Sequence, residues 1–253
     1  MPFVVAGGHR LEYAWHGSAH GNAPPIVMLH EGLGSLALWR DFPQRLSEAT
    51  GRPTLAYSRV GYGASDPLDG PRGVDFMHVE ALDTLPELLD TLAVEYPVLF
   101  GHSDGGSIAL IHAARAGRPV SAVIAMAPHV FVEPYGLKSI VEARRAYLDG
   151  DLRARLARYH ADAESAFWGW NDVWLNPDFV SWNIEDLLPG ITRPLLAIQG
   201  VDDEYGTMEQ IDRIGRGARD FRRLELQHCG HSPHRDQPEA VLSAAAAFLG
   251  ERS

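Results

Sequence analysis

Cysteine is nearly absent. Cys229 is the only one in 253 residues, so no disulfide can close within the chain, which fits a reducing compartment. Basic residues are also scarce. The 22 Lys and Arg stand against 33 Asp and Glu, for a formal net charge of −11. A protein that grips phosphate backbones presents a basic surface to displace counterions, so no nucleic acid is expected as a partner. Arg144, Arg145, Arg153, Arg155 and Arg158 do cluster, and their pattern reads as a solvated helix face. No apolar run approaches the length needed to cross a bilayer. Met1 to Tyr13 has no basic stretch followed by an apolar one, so no secretory signal is expected. These absences together predict a cytoplasmic protein with no membrane partner.

What is present is ordinary globular material, 45% hydrophobic and 22% charged. It is enough to bury a large core without metals or disulfides. Short apolar runs alternate with longer helical stretches. Phe3 to Ala6 and Arg10 to Trp15, split by Gly7-Gly8, read as a hairpin. Strands are predicted at Ile26 to Leu29, Thr54 to Tyr57, Val98 to Phe100, Val120 to Met126, Leu195 to Ile198 and Phe221 to Leu226. Helices are predicted at Leu38 to Ala49, Val79 to Val94, Ile108 to Ala116 and Pro238 to Leu249. The alternation implies an α/β fold, a mostly parallel central sheet with helices on both faces. From His129 to Pro189 no strand is evident and tryptophans concentrate. The expected organisation is therefore a core of residues 1–128 and 190–253, with a helical cap at 129–189.

The chemistry centres on Val98 to Ile108, which contains Gly101-His102-Ser103-Asp104-Gly105. An apolar strand precedes this Gly-x-Ser-x-Gly and an apolar helix follows it. A turn that sharp tolerates only small residues at 101 and 105, and it thrusts the serine out at the sheet's carboxyl edge. The helix N-terminus points free N–H groups at the same place, so the N–H of Asp104 would stabilise an oxyanion there. A serine hydroxyl needs a base to become a nucleophile. His231, after the last strand and before the last helix, is the candidate, with His234 and then His228 as competitors. Their spacing of three resembles that of metal ligands, but they fall on a Gly- and Pro-containing loop, not one helix face; no metal or other cofactor is expected. The acid that orients the histidine is sought after Leu195 to Ile198. Asp203 is preferred and Asp202 is the runner-up, and either would also suit a helix cap near Thr207. The order Ser103, Asp203, His231 is one found in α/β-hydrolases. A second oxyanion donor is expected from His30 to Ser35, as the N–H of Gly32 or Leu33, since the glycines permit close approach.

From Ile26 nearly to its end the chain resembles the α/β-hydrolase superfamily. The pieces that carry the likeness are His30-Glu31-Gly32-Leu33-Gly34, Ser58 to Asp66, Gly101 to Gly106, Gly200-Val201-Asp202-Asp203, and Gly230-His231 with Pro238-Glu239 downstream. The resemblance selects Asp203, three residues after Gly200, and His231, which follows a glycine ahead of the Pro-Glu pair. It implies a structural role for Arg59. Where the family commonly has His-Gly, this chain has His30-Glu31, which leaves Glu31 near the site as a selectivity group. The elbow with Asp104 also resembles that of amino-acid-ester-cleaving hydrolases.

Trp168, Trp170 and Trp174, with Phe167 and Phe179, are expected to line an apolar pocket between cap and sheet or to pack the cap onto the core. The expected function is a serine hydrolase with an acyl-enzyme intermediate. Its substrate would be a carboxylic ester, extending to thioesters or lactones, of a small, partly apolar or aromatic molecule. The competing readings are a carbon–carbon bond hydrolase acting on a vinylogous diketone and a non-catalytic small-molecule receptor on the same fold. Exposed cap helices leave a homodimer open.

Overall fold

In the strand Ile26–Leu29 every side chain is buried. Successive side chains leave opposite faces of a strand. Val27 and Leu29 accordingly join one apolar cluster, and Ile26 and Met28 join another. The same alternation in Val98, Leu99 and Phe100 and in Val123, Ile124 and Ala125 builds a sheet that must be covered on both sides. The protein is described by a computed structural model covering residues 1–18 and 23–251.

The strands are β1 (Phe3–Ala6), β2 (His9–His16), β3 (Ile26–Leu29), β4 (Thr54–Tyr57), β5 (Val98–His102), β6 (Ala122–Met126), β7 (Leu195–Gly200) and β8 (Phe221–Leu226). They form one eight-stranded sheet in the order β1-β2-β4-β3-β5-β6-β7-β8. β1 and β2 form an antiparallel hairpin, and β2 runs antiparallel to β4. All other pairings are parallel. The hairpin turn has φ of 59° at Gly7 and 78° at Gly8, the left-handed pair that a tight two-residue turn requires.

The helices are α1 (Phe42–Thr50), α2 (Phe76–Val79), α3 (Leu85–Thr91), α4 (Asp104–Arg115), α5 (Pro134–Leu148), α6 (Leu152–Leu156), α7 (Ala163–Trp174), α8 (Glu209–Gly217), α9 (Pro233–Asp236) and α10 (Pro238–Gly250). Side chains from α1 and α10 cover one face of the sheet. Those from α2, α3, α4 and α8 cover the other. The fold class is thus the doubly covered, mostly parallel sheet that the alternation implied. In the long β6–β7 segment, Ile140, Phe167, Trp170, Trp174 and Phe179 join the second of these cores. An isolated antiparallel bridge pairs Phe131 with Asn183 there.

Three helix boundaries differ from the sequence expectation. The helix expected from Val79 to Val94 begins at Phe76 and passes through a π-helical turn at Glu80–Thr84. Pro86 has no N–H to offer and its ring crowds the carbonyl four residues back, so a regular ladder cannot run through this point. The Ala81 carbonyl accepts from His112 Nδ1 at 2.8 Å. The helix expected from Leu38 is two pieces, a 3-10 turn at Leu36–Trp39 and α1, which starts with Pro43 in its first turn, a position that suits proline. The helix expected from Ile108 starts at Asp104, immediately after Ser103.

Candidate active site

Five parallel strands deliver their following loops to one edge: Glu31 after β3, Ser103 after β5, His129 after β6, Asp203 after β7 and His231 after β8. Ligands of open α/β sheets bind at this carboxyl edge. Between β5 and α4 the backbone reverses through Ser103, at φ 53° and ψ −120°, a strained conformation for a side-chain-bearing residue. The neighbouring glycines make it possible. A Cβ on Gly101 would strike the Gly105 backbone, and one on Gly105 would strike the Leu29 carbonyl. The turn is pinned from outside by the Ser103 N–H, which donates to the Met126 carbonyl at 2.8 Å.

Ser103 Oγ lies 2.9 Å from His231 Nε2. His231 Nδ1 lies 2.9 Å from each Asp203 carboxylate oxygen. Asp203 is further fixed by Gln199 Nε2 at 2.8 Å and by the N–H groups of Tyr205 and Gly206 at 2.8 and 3.2 Å. Burial works to lower the His231 pKa, but the charge and hydrogen bond of Asp203 outweigh it and hold the imidazole above its ordinary value. Burial works to raise Asp203, and the same partner with these N–H donors keeps it below the usual carboxylate value. The competitors stand elsewhere. Asp202 and His228 are exposed. His234 is buried, with its ring against Trp39, Phe42 and His102. No cluster of His, Cys, Asp and Glu suited to a metal is found among the described residues.

The loop after β3 is held by Arg59. This wholly buried guanidinium donates from Nη2 to the carbonyls of His30 at 3.2 Å and Glu31 at 2.9 Å. The Glu31 carbonyl also accepts from Gly34 N–H at 3.0 Å. A trans peptide opposes its C=O and N–H, so the Gly32 N–H is turned away from Arg59, and Gly32 and Leu33 line the cavity over Ser103. The N–H groups of Gly32, Leu33 and Asp104 have no partner among the described residues. Three free donors therefore belong to residues that border the serine, as oxyanion stabilisation demands.

The cavity has a volume of about 100 Å³. Ser103, Asp104 and His231 line it together with Glu31, His129 and Tyr205. Leu137, Ile140, Trp170 and Trp174 supply its apolar wall. Trp174 donates from Nε1 to Asp104 Oδ1 at 3.2 Å. Trp168 is not part of this wall. Its Nε1 is bonded to Glu164 at 2.9 Å, and it borders a separate surface groove beside Leu68 and Arg72. Phe167 and Phe179 are core residues. The arginine cluster is mostly matched by acids: Arg144 with Asp172, Arg145 with Glu142, Arg153 with Glu164 and Arg155 with Asp151. His129 and Tyr205 were hidden in the sequence, because only the tertiary fold brings them to Ser103; His102 adjoins Ser103 in the chain, and only its partners Glu31 and His231 were hidden. The hold of Arg59 on the oxyanion loop was equally hidden, although its motif was recognised.

Comparison with known proteins agrees with this fold. Residues 24–185 match the family model described as the alpha/beta hydrolase fold. An sn-1-specific diacylglycerol lipase of Xenopus tropicalis is 24% identical over 269 residues, covering 93% of this chain and 80% of that protein. A putative carbamate hydrolase of Stutzerimonas stutzeri is 28% identical over 266 residues, covering 96% and 97%. The crystal structure of the enol-lactonase from Burkholderia xenovorans superposes with a TM-score of 0.77 at 22% identity, covering 98% of this chain and 100% of that one. At that identity the superposition speaks for the fold alone.

Proposed function

The chain belongs to the alpha/beta hydrolase fold family, and from that premise we propose that it is a serine hydrolase cleaving carboxylic esters with a short acyl group. The observation that carries this reading is the continuous hydrogen-bonded line from Ser103 Oγ through His231 to Asp203, with 2.9 Å at each step. His231 takes the serine proton as Ser103 attacks the carbonyl. The oxyanion is received by the N–H of Asp104 and of Gly32 or Leu33. His231 then returns the proton to the leaving alcohol, and water attacks the acyl-serine through the same base. Asp203 holds the tautomer and stabilises the imidazolium. The residues 129–189 act as a cap whose Trp170 and Trp174 close the acyl pocket.

The acyl size follows from the cavity. Its volume of about 100 Å³ is below the roughly 150 Å³ of an engineered apolar cavity that takes up benzene. A short aliphatic acyl group fits, and a long chain must emerge from the pocket. One relative is named a putative carbamate hydrolase, so a carbamate belongs in the substrate panel. A receptor that only binds has no use for a base aligned on a strained serine.

The test is hydrolysis of chromogenic esters of rising acyl length, with a carbamate added, by wild type and Ser103→Ala. Short acyl esters should be turned over fastest, and Ser103→Ala should lose about 10⁶ in kcat. A folded wild type that hydrolyses none of them, or a variant that keeps the activity, would refute the proposal.

A further inference from the structure

The residue before the nucleophile, His102, is fully buried, yet both of its ring nitrogens are occupied. Nε2 lies 2.7 Å from the backbone carbonyl of His231. Nδ1 lies 3.3 Å from Oε2 of Glu31. A carbonyl can only accept, so Nε2 carries hydrogen. The other contact places Nδ1 beside a carboxylate oxygen. The two bonds join three loops from three strands: the oxyanion loop through Glu31, the elbow through His102 and the histidine loop through His231.

We propose that Glu31 and His102 form a positioning pair that holds His231 from its backbone side and so sets its distance from Ser103. This rests on the reading of Ser103 as nucleophile and His231 as its base. The usual acid, Asp203, orients the ring of His231 but reaches it only at Nδ1. The ring's placement also depends on its backbone, and the histidine loop follows the outermost strand, β8, which has a neighbour on one side only. A bond from the elbow to the His231 carbonyl adds a restraint from the centre of the sheet. Glu31 in turn keeps His102 turned toward that carbonyl.

Other charged groups surround the pair. Arg235 Nη2 lies 3.6 Å from Glu31 Oε1. The rings of His231 and His234 pack on His102 at 5.2 and 5.0 Å. His30 and Arg59 bind the Glu31 carbonyl. His160 bonds the Leu33 carbonyl at 3.1 Å, Asp203 accepts from the His231 ring, and Glu204 accepts from the His231 backbone N–H at 3.2 Å. Burial works to raise the Glu31 pKa, but the hydrogen bond and charge of His102, with His234 and Arg235, hold it well below the usual carboxylate value. The carboxylate is thus committed to His102 and Arg235, although it borders the cavity.

The test uses the whole chain and a fluorophosphonate probe, which reads the Ser103–His231 couple without knowledge of the substrate. Inactivation rates are measured at neutral pH for wild type, Glu31→Gln, Glu31→Ala and His102→Phe, with folding checked by circular dichroism. Glu31→Gln should stay within about threefold of wild type, because its amide donates to Nδ1 while Nε2–H still reaches the carbonyl. Glu31→Ala should fall by about tenfold to a hundredfold, as misplacement of a reacting group does, and His102→Phe, which keeps a ring but loses both bonds, should fall as far. A folded Glu31→Ala or His102→Phe with the rate of wild type overturns the proposal. So does a Glu31→Gln variant that falls as far as Glu31→Ala. Should Glu31→Ala not fold, His102→Phe decides in its place. A wild type no more reactive than Ser103→Ala overturns the serine reading, and the positioning pair with it.

Discussion

Asp203 has two tasks in one carboxylate. It closes its own loop by accepting from Tyr205 and Gly206, and it accepts from His231 Nδ1. In the proposed mechanism the second task fixes which nitrogen of His231 is free to take the serine proton. Replacement by asparagine keeps the shape but presents an N–H to Nδ1, so the proton moves to Nε2, the wrong side for a base. By analogy with other triads, Asp203→Asn should lower kcat by about 10⁴. It should also shift the pH profile. Since Asp203 is what lifts the His231 pKa above its ordinary value, the acid limb of kcat/KM in wild type should lie above about 6.5. In Asp203→Asn it should move to lower pH. A limb that stays in place in the variant would mean that another group sets it. Chain order placed an aspartate after β7 and a histidine after β8, and the family resemblance chose Asp203 and His231 among their neighbours. The partners of Glu31 were not legible in the sequence, because Glu31 follows β3, His102 ends β5 and Arg235 lies in α9, and only the fold brings them together.

At the scale of elements, the oxyanion loop and α7 meet without clearance. A Cβ on Gly32 would run into the indole of Trp170, so the helix in the β6–β7 segment sets how far the loop can move. Gly32→Ala should force one of them aside. If the loop yields, its N–H leaves the oxyanion, and kcat should fall about 10²-fold or more with little change in KM. Trimming the indole should restore the room, so Gly32→Ala combined with Trp170→Phe should be faster than Gly32→Ala alone. This is a coupling of the size that contacting residues show. Equal losses in the single and double variants would place the effect outside this contact. The strands of this architecture could be read almost residue by residue, since continuous apolar runs such as Ile26 to Leu29 permit little else. Helix ends were less legible. α4 begins four residues earlier than its apolar pattern, through Gly105 and Gly106, which are poor helix formers. They are helical because the elbow requires the backbone to pass close to β3 and β5. Trp168 shows a further limit: four tryptophans in one segment announce an apolar wall, but helical periodicity alone did not show which of them would face Ser103.

Across the whole molecule, histidine is the residue that ties stability to pH. His30, His112, His129, His160 and His234 are all buried, and burial is the leading cause that holds each below its ordinary pKa. In the unfolded chain they titrate near 6.5. Below that pH the unfolded chain therefore binds protons that the native fold refuses, and stability falls as pH falls, by up to about 1.4 kcal/mol per pH unit for each fully refused proton. His231 works the other way. Its raised pKa adds stability that is complete below about 6.5 and is lost as pH rises through the folded value, but it is one group against five. The depressed carboxylates, Glu31 and Asp203, weaken the fold only at more acidic pH. Two or three refused protons, over a single pH unit, are already comparable with a good part of the 5–15 kcal/mol that a typical domain has in hand. The midpoint of urea unfolding should therefore drop between neutral pH and about pH 5.5, with net proton uptake on unfolding. His112→Gln tests the origin. His112 lies on α4 away from Ser103 and bonds only the Ala81 carbonyl, so its loss should flatten the pH slope without touching the catalytic groups. A midpoint that holds steady or rises on acidification would show that these buried imidazoles are protonated in the native fold after all.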